Sequence, residues 1–389
     1  MKPNIVLLLA VLSSQLAYAA TNAGPELVVV GVHGPATSLV PTGRGDRAAP
    51  NDAIMILDAS RLPVTVVRQV AGLDHSILGP PQSVAITPDG ALAFVSSPTS
   101  YNFATKKELP GTILQIVRLA DGSVTSLDLG SNPNGLAISP DGTLLLAACT
   151  DGTVKVLAIR DGVRLVETIA LTASRLSGVA ISPDGRFALV AHRDEGGLSV
   201  LDITGGKVTL GADRITTGVG PLAIAMSGDG RYAAVGNMGM TTLLGVRGRL
   251  AGDADSVTLI DLSRRPFRAV QHITVPSAPE GVALSADGRF LAVQTLGGSH
   301  LPATNPGHRD IGQISLFRVA GGTATLVNSV AGGGIAQGLV FSRDGRRLLV
   351  DFNIEKAVAV FEVSGGRLRD TGQRIQAPGG AVSIATTPR

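Results

Sequence analysis

The stretch "GVAISPDGRFALVAHRDEG", residues 178–196, contains the pattern that decides the fold. A short apolar segment leads into Ser-Pro-Asp-Gly, a second apolar segment follows, and the stretch ends in a dense polar cluster, His192–Glu195. Glycine readily adopts the positive φ that a tight turn needs, so Asp184 and Gly185 predict the turn of a β-hairpin. The hairpin alone carries no chemistry, but the polar cluster predicts either a solvated loop or part of a site.

The same hairpin recurs along the chain, for example as "SVAITPDGALAFVSS" from Ser83 and "GVALSADGRFLAVQT" from Gly281. Six copies are visible, and their turn aspartates are Asp89, Asp141, Asp184, Asp229, Asp287 and Asp344. By subtraction, successive aspartates are 52, 43, 45, 58 and 57 residues apart. A period of this length with strand content predicts a β-propeller or a related array.

Each repeat predicts a blade of four antiparallel strands. After the hairpin come two further strand-like segments, such as residues 153–159 and 164–171. The first strand is almost wholly apolar, as expected where both faces are buried near a central axis. The outer segments carry Lys155, Arg164 and Glu167, which suit a half-exposed edge.

The two termini together predict a seventh blade. Residues 378–389, "PGGAVSIATTPR", read as a lone first strand, and three strand-like segments lie between residues 26 and 70. Pairing the two ends would close the ring and hide its open edges. We therefore predict an all-β fold, a seven-bladed β-propeller of four antiparallel strands per blade, with 3+1 closure of the last blade.

Residues 1–19 predict a secretory signal peptide. Lys2 precedes a short apolar run, and small residues follow with the spacing Ala17-x-Ala19. The run is shorter than the roughly 18 apolar residues that a membrane span needs. Cys149 is the chain's one cysteine, so there is neither a lipobox nor an internal disulfide. We expect a periplasmic or secreted protein, with residues 20–389 as a single propeller domain.

Composition excludes several classes of function. The net charge is +3 with scattered basic residues, which argues against a nucleic-acid partner. The absence of Trp and the 3% aromatic content argue against aromatic stacking on bases, against a pyrroloquinoline quinone cofactor and against a WD40 scaffold. Nucleotide, zinc-protease and serine-hydrolase motifs are absent as well. The cofactor is therefore unknown, and a divalent metal stays compatible with the sequence.

The repeat resembles a known family. Blades of the form "GVALSADGRFLAV" followed by strands such as "SVTLIDL" resemble the YVTN-repeat propellers and the seven-bladed lactonase group, which is 6-phosphogluconolactonase-like. The resemblance covers nearly the whole mature chain and is carried best by residues 256–293. It implies the propeller fold and, as an expectation, ring-opening or ring-closing chemistry on lactones. No catalytic motif of the family transfers residue by residue.

One face of the predicted ring departs from the repeat. The connection between second and third strands is long in four blades, at residues 34–51, 98–111, 238–255 and 296–312, while the first hairpin turns stay short. Long loops confined to one face indicate a functional surface. We call this the insertion face. A separate set of residues, each just before the first-strand glycine or its equivalent, should ring the tunnel mouth there, and we call them rim residues. They are Gln82, Asn134, Ser177, Leu222, Glu280 and Gln337.

The candidate site residues all map to the insertion face. As catalytic candidates we take His33, His192, Glu280 and His300. As substrate-binding candidates we take His75, Gln82, Asn134, Arg193, Asn237, Arg309 and Gln337. A loop histidine is more often merely solvated, and a rim acid such as Glu280 is about as often solvated as functional.

Two functions from different classes remain open. The first is a lactonase-type hydrolase, in which a histidine serves as acid or base, Arg193 or Arg309 grips a substrate carboxylate, and Glu280 orients water or binds a metal. The second is a non-catalytic periplasmic propeller that binds a protein partner through apolar loops on the insertion face. A haem protein with an axial histidine is a minor third idea. The resemblance favours the hydrolase acting on a small lactone or sugar acid.

Overall fold

The chain folds into a ring of seven blades, which confirms the predicted architecture. The computed structural model describes residues 25–33, 52–74, 81–102, 105, 107–239 and 253–388. In it, seven antiparallel sheets of four strands each surround a central tunnel, and the described residues form no helix. No helix with the length and apolar character required to cross a membrane is found in these ranges.

In blades one to six the four strands follow one another outward from the tunnel in chain order. The first fourteen are β1 (Leu27–His33), β2 (Asp52–Asp58), β3 (Thr65–Leu73), β4 (Val84–Ile86), β5 (Leu92–Asn102), β6 (Lys107–Arg118), β7 (Val124–Asp128), β8 (Pro133–Ile138), β9 (Leu144–Cys149), β10 (Thr153–Ile159), β11 (Val163–Ala170), β12 (Leu176–Ile181), β13 (Phe187–His192) and β14 (Leu198–Thr204). The others are β15 (Lys207–Ile215), β16 (Pro221–Met226), β17 (Tyr232–Asn237), β18 (Ser256–Asp261), β19 (Arg268–Thr274), β20 (Gly281–Leu284), β21 (Phe290–Thr295), β22 (Gln313–Ala320), β23 (Thr323–Ala331), β24 (Leu339–Phe341), β25 (Arg347–Phe352), β26 (Ala357–Ser364), β27 (Arg367–Gln376) and β28 (Gly380–Thr386). Blade one is β4–β7, blades two to six follow in order, and blade seven is β28 with β1–β3.

The predicted 3+1 closure is present in blade seven. Its sheet has the order β28-β1-β2-β3, so the C-terminal strand is the innermost and the N-terminal strands complete the blade. Val30 lies opposite Ile384 and Val28 lies opposite Thr386. The ring is therefore held shut by backbone hydrogen bonds between the two ends of the chain.

The repeated aspartates are turn formers. In blade three the Ser182 hydroxyl donates to Asp184 Oδ1 at 2.6 Å, and the same oxygen accepts from the Arg186 backbone N–H. The equivalent hydroxyl-to-aspartate bond is 2.6–2.7 Å in the other five hairpins. Gly185 has a φ of 70°, as the turn requires.

Side-chain amides connect neighbouring blades at the periphery. Gln271 of blade four donates to the Ala324 carbonyl of blade five and accepts from its N–H. The same two-point bond joins Asn328 to Leu368 and Gln373 to Val64. Since these bonds run between the outer strands, the apolar faces of adjacent blades are kept in register.

The long connections differ in structure. In blade one, residues predicted as a loop extend the β5–β6 hairpin, because Asn102 still pairs with Lys107. The blade-five connection, residues 296–312, is irregular. The blade-seven connection lies outside the described residues, as does most of the blade-four connection.

Candidate functional site

Gln82 closes the tunnel from the inside. Its Nε2 donates to the Ile224 carbonyl at 2.9 Å, and its Oε1 accepts from the Ile224 N–H at 3.1 Å. Gln82 belongs to blade one and Ile224 to blade four, so this bond crosses the tunnel. A Cβ on Gly178 would clash with the Leu222 backbone carbonyl and would also lie 2.5 Å from Gln82 Oε1, which explains a glycine at this point of blade three. Gln82 thus separates the insertion face from an apolar cavity of about 280 Å³ that opens among the hairpin turns.

We expect Gln82→Ala to lower the free energy of unfolding by about 1–3 kcal/mol, since two backbone groups inside the tunnel lose their partner. Urea unfolding followed by circular dichroism measures the change. Gln271→Ala is the matched control, because it removes the same two-point bond at the periphery, where water can replace it. An equal loss in both variants would contradict a special role for the tunnel bond.

Three of the candidate residues, which belong to three different blades, interact through the Glu280 carboxyl. Glu280 of blade five is partly exposed and accepts a hydrogen bond from the Gln337 side chain of blade six. The Arg193 guanidinium of blade three acts on the same carboxyl. Burial raises the pKa of Glu280 to about 7, and Arg193 and Gln337 limit the rise. The Glu280 carboxyl of blade five therefore interacts with a cation of blade three and with an amide of blade six.

A second acid, Asp351, lies behind this point. It is 0% exposed, and its Oδ1 accepts from the backbone N–H groups of Gln337 and Gly338 at 2.9 and 2.6 Å. Burial raises the pKa of Asp351 to about 7, and the nearby Glu280 carboxyl adds to the rise. A Cβ on Gly338 would lie 2.8 Å from Asp351 Oδ2, so the glycine makes room for the carboxyl.

The backbone that presents these residues is left-handed at three equivalent places. In blades four, five and six, the residue two positions before the rim residue has a positive φ: Gly220 (67°), Ala278 (60°) and Ile335 (49°). This conformation suits glycine but is rare for a β-branched side chain and costs about 1–3 kcal/mol. Packing holds it, because Ala278 and Ile335 are buried together with Leu296.

These left-handed residues are adjacent to the site residues in the chain or in contact with them. Ala278 precedes Glu280 by two positions, and Ile335 precedes Gln337 in the same way. The Gly220 carbonyl accepts from Arg193 Nη1 at 2.9 Å, which fixes the guanidinium beside the rim. Local backbone strain at functional positions is a recurrent feature of preorganised sites.

His192 is part of a buried hydrogen-bonded ladder inside blade three. It is 0% exposed, its Nε2 lies 2.8 Å from Ser199 Oγ, and its Nδ1 lies 3.5 Å from Glu195 Oε2. Arg214 Nη1 reaches the same Ser199 hydroxyl at 3.4 Å. Although serine, histidine and acid are in line, Ser199 is only 1% exposed, so a substrate has no direct access to it.

The ladder recurs in blade four, which points to a structural origin. Asn237 occupies the position of His192, and its Nδ2 donates to Ser256 and Thr258. The Thr258 hydroxyl lies 3.1 Å from His272 Nδ1. Each ladder ties the second strand of a blade to the outer strands. That His192 or Asn237 contacts a ligand stays a prediction.

Burial, together with Arg214, lowers the pKa of His192 to about 4, while Glu195 acts in the opposite direction. A folded-state pKa below the usual 6.5 means that stability is complete above pH 6.5 and is lost as the pH falls toward 4. We expect this histidine to contribute a loss of up to about 3 kcal/mol over that range.

The matched variant is His192→Asn, which copies the residue of blade four. Glu280 and Asp351, whose pKa values are raised, make stability fall instead as the pH rises from about 4 to about 7. The measurement is therefore the difference in unfolding free energy between wild type and variant at pH 7 and pH 4. A pH-independent difference would rule out the neutral, buried histidine.

The remaining described candidates are distributed over blades two, five and seven. His33 is buried at the end of β1. His300 is partly buried in the blade-five connection, where burial lowers its pKa and Asp255 opposes the change. Arg309 is exposed and donates to the His308 carbonyl. Asn134 is a partly buried rim residue.

Two further points concern His75 and Cys149. His75 falls outside the described residues. Cys149 is fully buried in β9, and burial raises the pKa of its thiol to about 12, as expected for a structural residue of the strand.

Sequence reasoning missed Asp351, although a signal was present. The position seven residues after the turn aspartate is Ser, Ala, Ala or Gly in blades one to four, at Ser96, Ala148, Ala191 and Gly236. In blades five and six it is Gln294 and Asp351, both 0% exposed. A polar residue at an otherwise small, buried position was the signal. The described residues contain no group of three or more His, Cys, Asp or Glu side chains that could hold a metal ion.

Comparison with known proteins gives one family match. A model described as WD domain, G-beta repeat matches residues 120–156, which span the outer edge of blade one and most of blade two. The absence of Trp, from which the sequence argued against a WD40 scaffold, thus does not prevent one repeat from matching. No curated protein matches the chain.

Solved structures share the fold over almost the whole chain. A candidate 6-phosphogluconolactonase from Bacteroides fragilis is 15% identical with a TM-score of 0.67, covering 94% of this chain and 99% of the other. The periplasmic gluconolactonase of Pseudomonas aeruginosa is 19% identical with a TM-score of 0.63, covering 94% and 99%. Hydrazine synthase of Kuenenia stuttgartiensis is 19% identical with a TM-score of 0.59, covering 79% and 90%. At these identities the likeness establishes the propeller fold, and that fold carries different functions.

Proposed function

We propose that the protein is an exported lactonase-type hydrolase whose reactive group is Glu280. The observation that supports this is the interaction of the Glu280 carboxyl with Arg193 of blade three and with the Gln337 side chain of blade six. Similarity in fold to proteins named as lactonases supports the same reaction class. The predicted signal peptide, residues 1–19, would place the reaction in the periplasm or outside the cell.

The geometry suits hydrolysis by general base catalysis. A carboxyl whose pKa is about 7 is a stronger base than an ordinary carboxylate and is still partly ionised near neutral pH. In this scheme the water oxygen attacks the lactone carbonyl carbon while Glu280 takes the water proton. Arg193 stabilises the negative charge that develops on the carbonyl oxygen. Glu280 then returns the proton to the ring oxygen as the acyl–oxygen bond breaks, and a hydroxy acid leaves.

A second candidate function is protein binding through the insertion face. Ile311 and Ile354 lie in connections on this face and are each 46% exposed. Exposed aliphatic side chains near a rim of polar residues are typical of interaction surfaces. In this case Glu280 and Arg193 would form a structural ion pair without turnover.

The test is hydrolysis of a lactone panel by the mature protein, residues 20–389. The panel comprises aldonolactones, their phosphorylated forms and simple γ- and δ-lactones, with acid release followed by pH indicator. Each reaction is run with and without chelator, because a divalent metal stays compatible with the sequence. Turnover that Glu280→Gln abolishes supports the hydrolase. The absence of turnover on every lactone contradicts the hydrolase and favours the binding function.

A further inference from the structure

Asp351 is a buried acid that the hydrolytic scheme does not use. It lies in β25, between apolar neighbours, and its carboxyl is inaccessible to solvent. One oxygen accepts two backbone hydrogen bonds, and Oδ2 has no hydrogen-bond partner among the described residues. An ionised carboxylate in such a place is costly unless it is paired or protonated.

The two backbone bonds connect Asp351 to the reactive carboxyl. They come from Gln337 and Gly338, the residues that open the first strand of blade six. The Gln337 side chain in turn hydrogen-bonds to Glu280. The path from Asp351 to Glu280 therefore contains one residue, Gln337, which is held through its backbone at one end and through its amide at the other.

The charges around the pair are few. Arg193 is the cation that acts on Glu280, and Arg193 is itself influenced by Arg175 and Asp194. The groups that act on Asp351 are the two backbone N–H groups and Glu280. Two ionised carboxylates beside one guanidinium would leave a net negative charge in a poorly hydrated place. A single proton held by the two carboxyls would balance the charges.

We propose that Asp351 is a positioning residue for Glu280: it fixes the rim backbone from which Gln337 reaches the Glu280 carboxyl, and the pair of acids as a whole carries a single proton, without a hydrogen bond between the two carboxyls. This rests on the proposed function only in that Glu280 is the group that performs the chemistry. The arrangement keeps Glu280 available as a base near neutral pH. The proton that Glu280 takes up stays within the pair of acids until it is returned to the substrate.

The experiment follows the Glu280 carboxyl itself by 13C NMR titration of protein labelled at the glutamate carboxyl carbon. The chain has only seven glutamates, and the signal that disappears in Glu280→Gln identifies the residue. In Asp351→Asn the amide oxygen can still accept both backbone bonds, so Gln337 stays in place while the like charge is gone. Because the Glu280 carboxyl raises the pKa of Asp351 and the coupling between two acids is reciprocal, we expect Glu280 to titrate at a lower pH than in wild type.

Gln337→Leu provides the opposite change. It keeps the volume but removes the hydrogen bond that favours the ionised carboxyl, so Glu280 should titrate at a higher pH. A general loosening of the site would shift the Glu280 titration in the same direction in both variants. Asp310→Asn is the control, since this exposed acid pairs with His308 and should leave Glu280 unchanged.

The results expected are a downward shift in Asp351→Asn, an upward shift in Gln337→Leu and none in Asp310→Asn. An unchanged Glu280 titration in Asp351→Asn overturns the proposal, as does a shift of the same sign in both variants. If Asp351→Asn does not fold, the proposal is tested by Gln337→Leu alone. It is then overturned if the Glu280 titration in that variant shows no upward shift. The titration does not depend on turnover. If the Glu280 titration shifts as expected but no lactone is hydrolysed, only the proposed function is contradicted.

Discussion

Replacing Glu280 with Gln is expected to lower kcat/KM for the best lactone by about 10²–10⁴, the usual loss when a general base is removed. Gln has nearly the same shape and can still accept a hydrogen bond from Gln337, so the tunnel wall should keep its structure. It cannot take the proton of the attacking water. The effect should fall mainly on kcat, because the proton moves only in the transition state.

The pH profile is the second readout of the same variant. Because the pKa of Glu280 is raised to about 7, wild-type activity should rise with pH and level off above that value. Residual activity of Glu280→Gln should lack this rise. His272→Ala is the control, since His272 lies on the outer strand of blade four and should leave both rate and profile unchanged. A variant Glu280→Gln with wild-type kcat would exclude the residue as the base.

Removing β28, by ending the chain before Gly380, is expected to abolish cooperative folding. The strand is the innermost of blade seven, and Ala381, Val382 and Ile384 are buried. Losing these side chains and the hydrogen bonds to β1 should cost about 5 kcal/mol or more, which is comparable to the whole stability of many domains. It also leaves β1 as an open edge facing the tunnel.

The measurement is thermal unfolding by circular dichroism, together with binding of a hydrophobic dye at room temperature. The control ends the chain at Thr387, because the Thr387 N–H still donates to the Leu27 carbonyl. This variant should melt as wild type does. A peptide of residues 378–389 added in trans should restore part of the transition. A cooperative transition at the wild-type temperature without β28 would show that closure is dispensable.

The fold could be predicted almost completely from the sequence, because its determinants are local and repeated. Each hairpin turn needs its aspartate and its left-handed glycine, as at Asp184 and Gly185, whatever surrounds the blade. The lone strand pattern at residues 380–386 had no partner nearby in sequence, so closure with the N-terminus was the remaining way to pair it. The extended hairpin in the blade-one connection, in contrast, could not be predicted, and these residues were expected to form a loop. Its register is set by the pairing of Asn102 with Lys107 and not by a local turn signal.

The candidate site was predictable only in part. Glu280 and Gln337 were predicted at the rim because each lies just before the first strand of its blade. Arg193 was predicted near them because it follows the end of a second strand. The histidines were chosen by residue type, and the structure places His192 inside a blade. Asp351 was overlooked because an acid within an apolar strand has no sequence partner that reveals its use.

The blade, the number of blades and the closure of the ring could be inferred from short segments of the chain, because turns, strand patterns and pairing edges are local properties. Which rim residues lie near one another depends on the assembled ring. Blades three, five and six are brought together by the curvature of the whole ring, and the backbone beside the site is left-handed at Gly220, Ala278 and Ile335. Burial, which sets the ionisation of Glu280 and Asp351, likewise arises only when all seven blades pack.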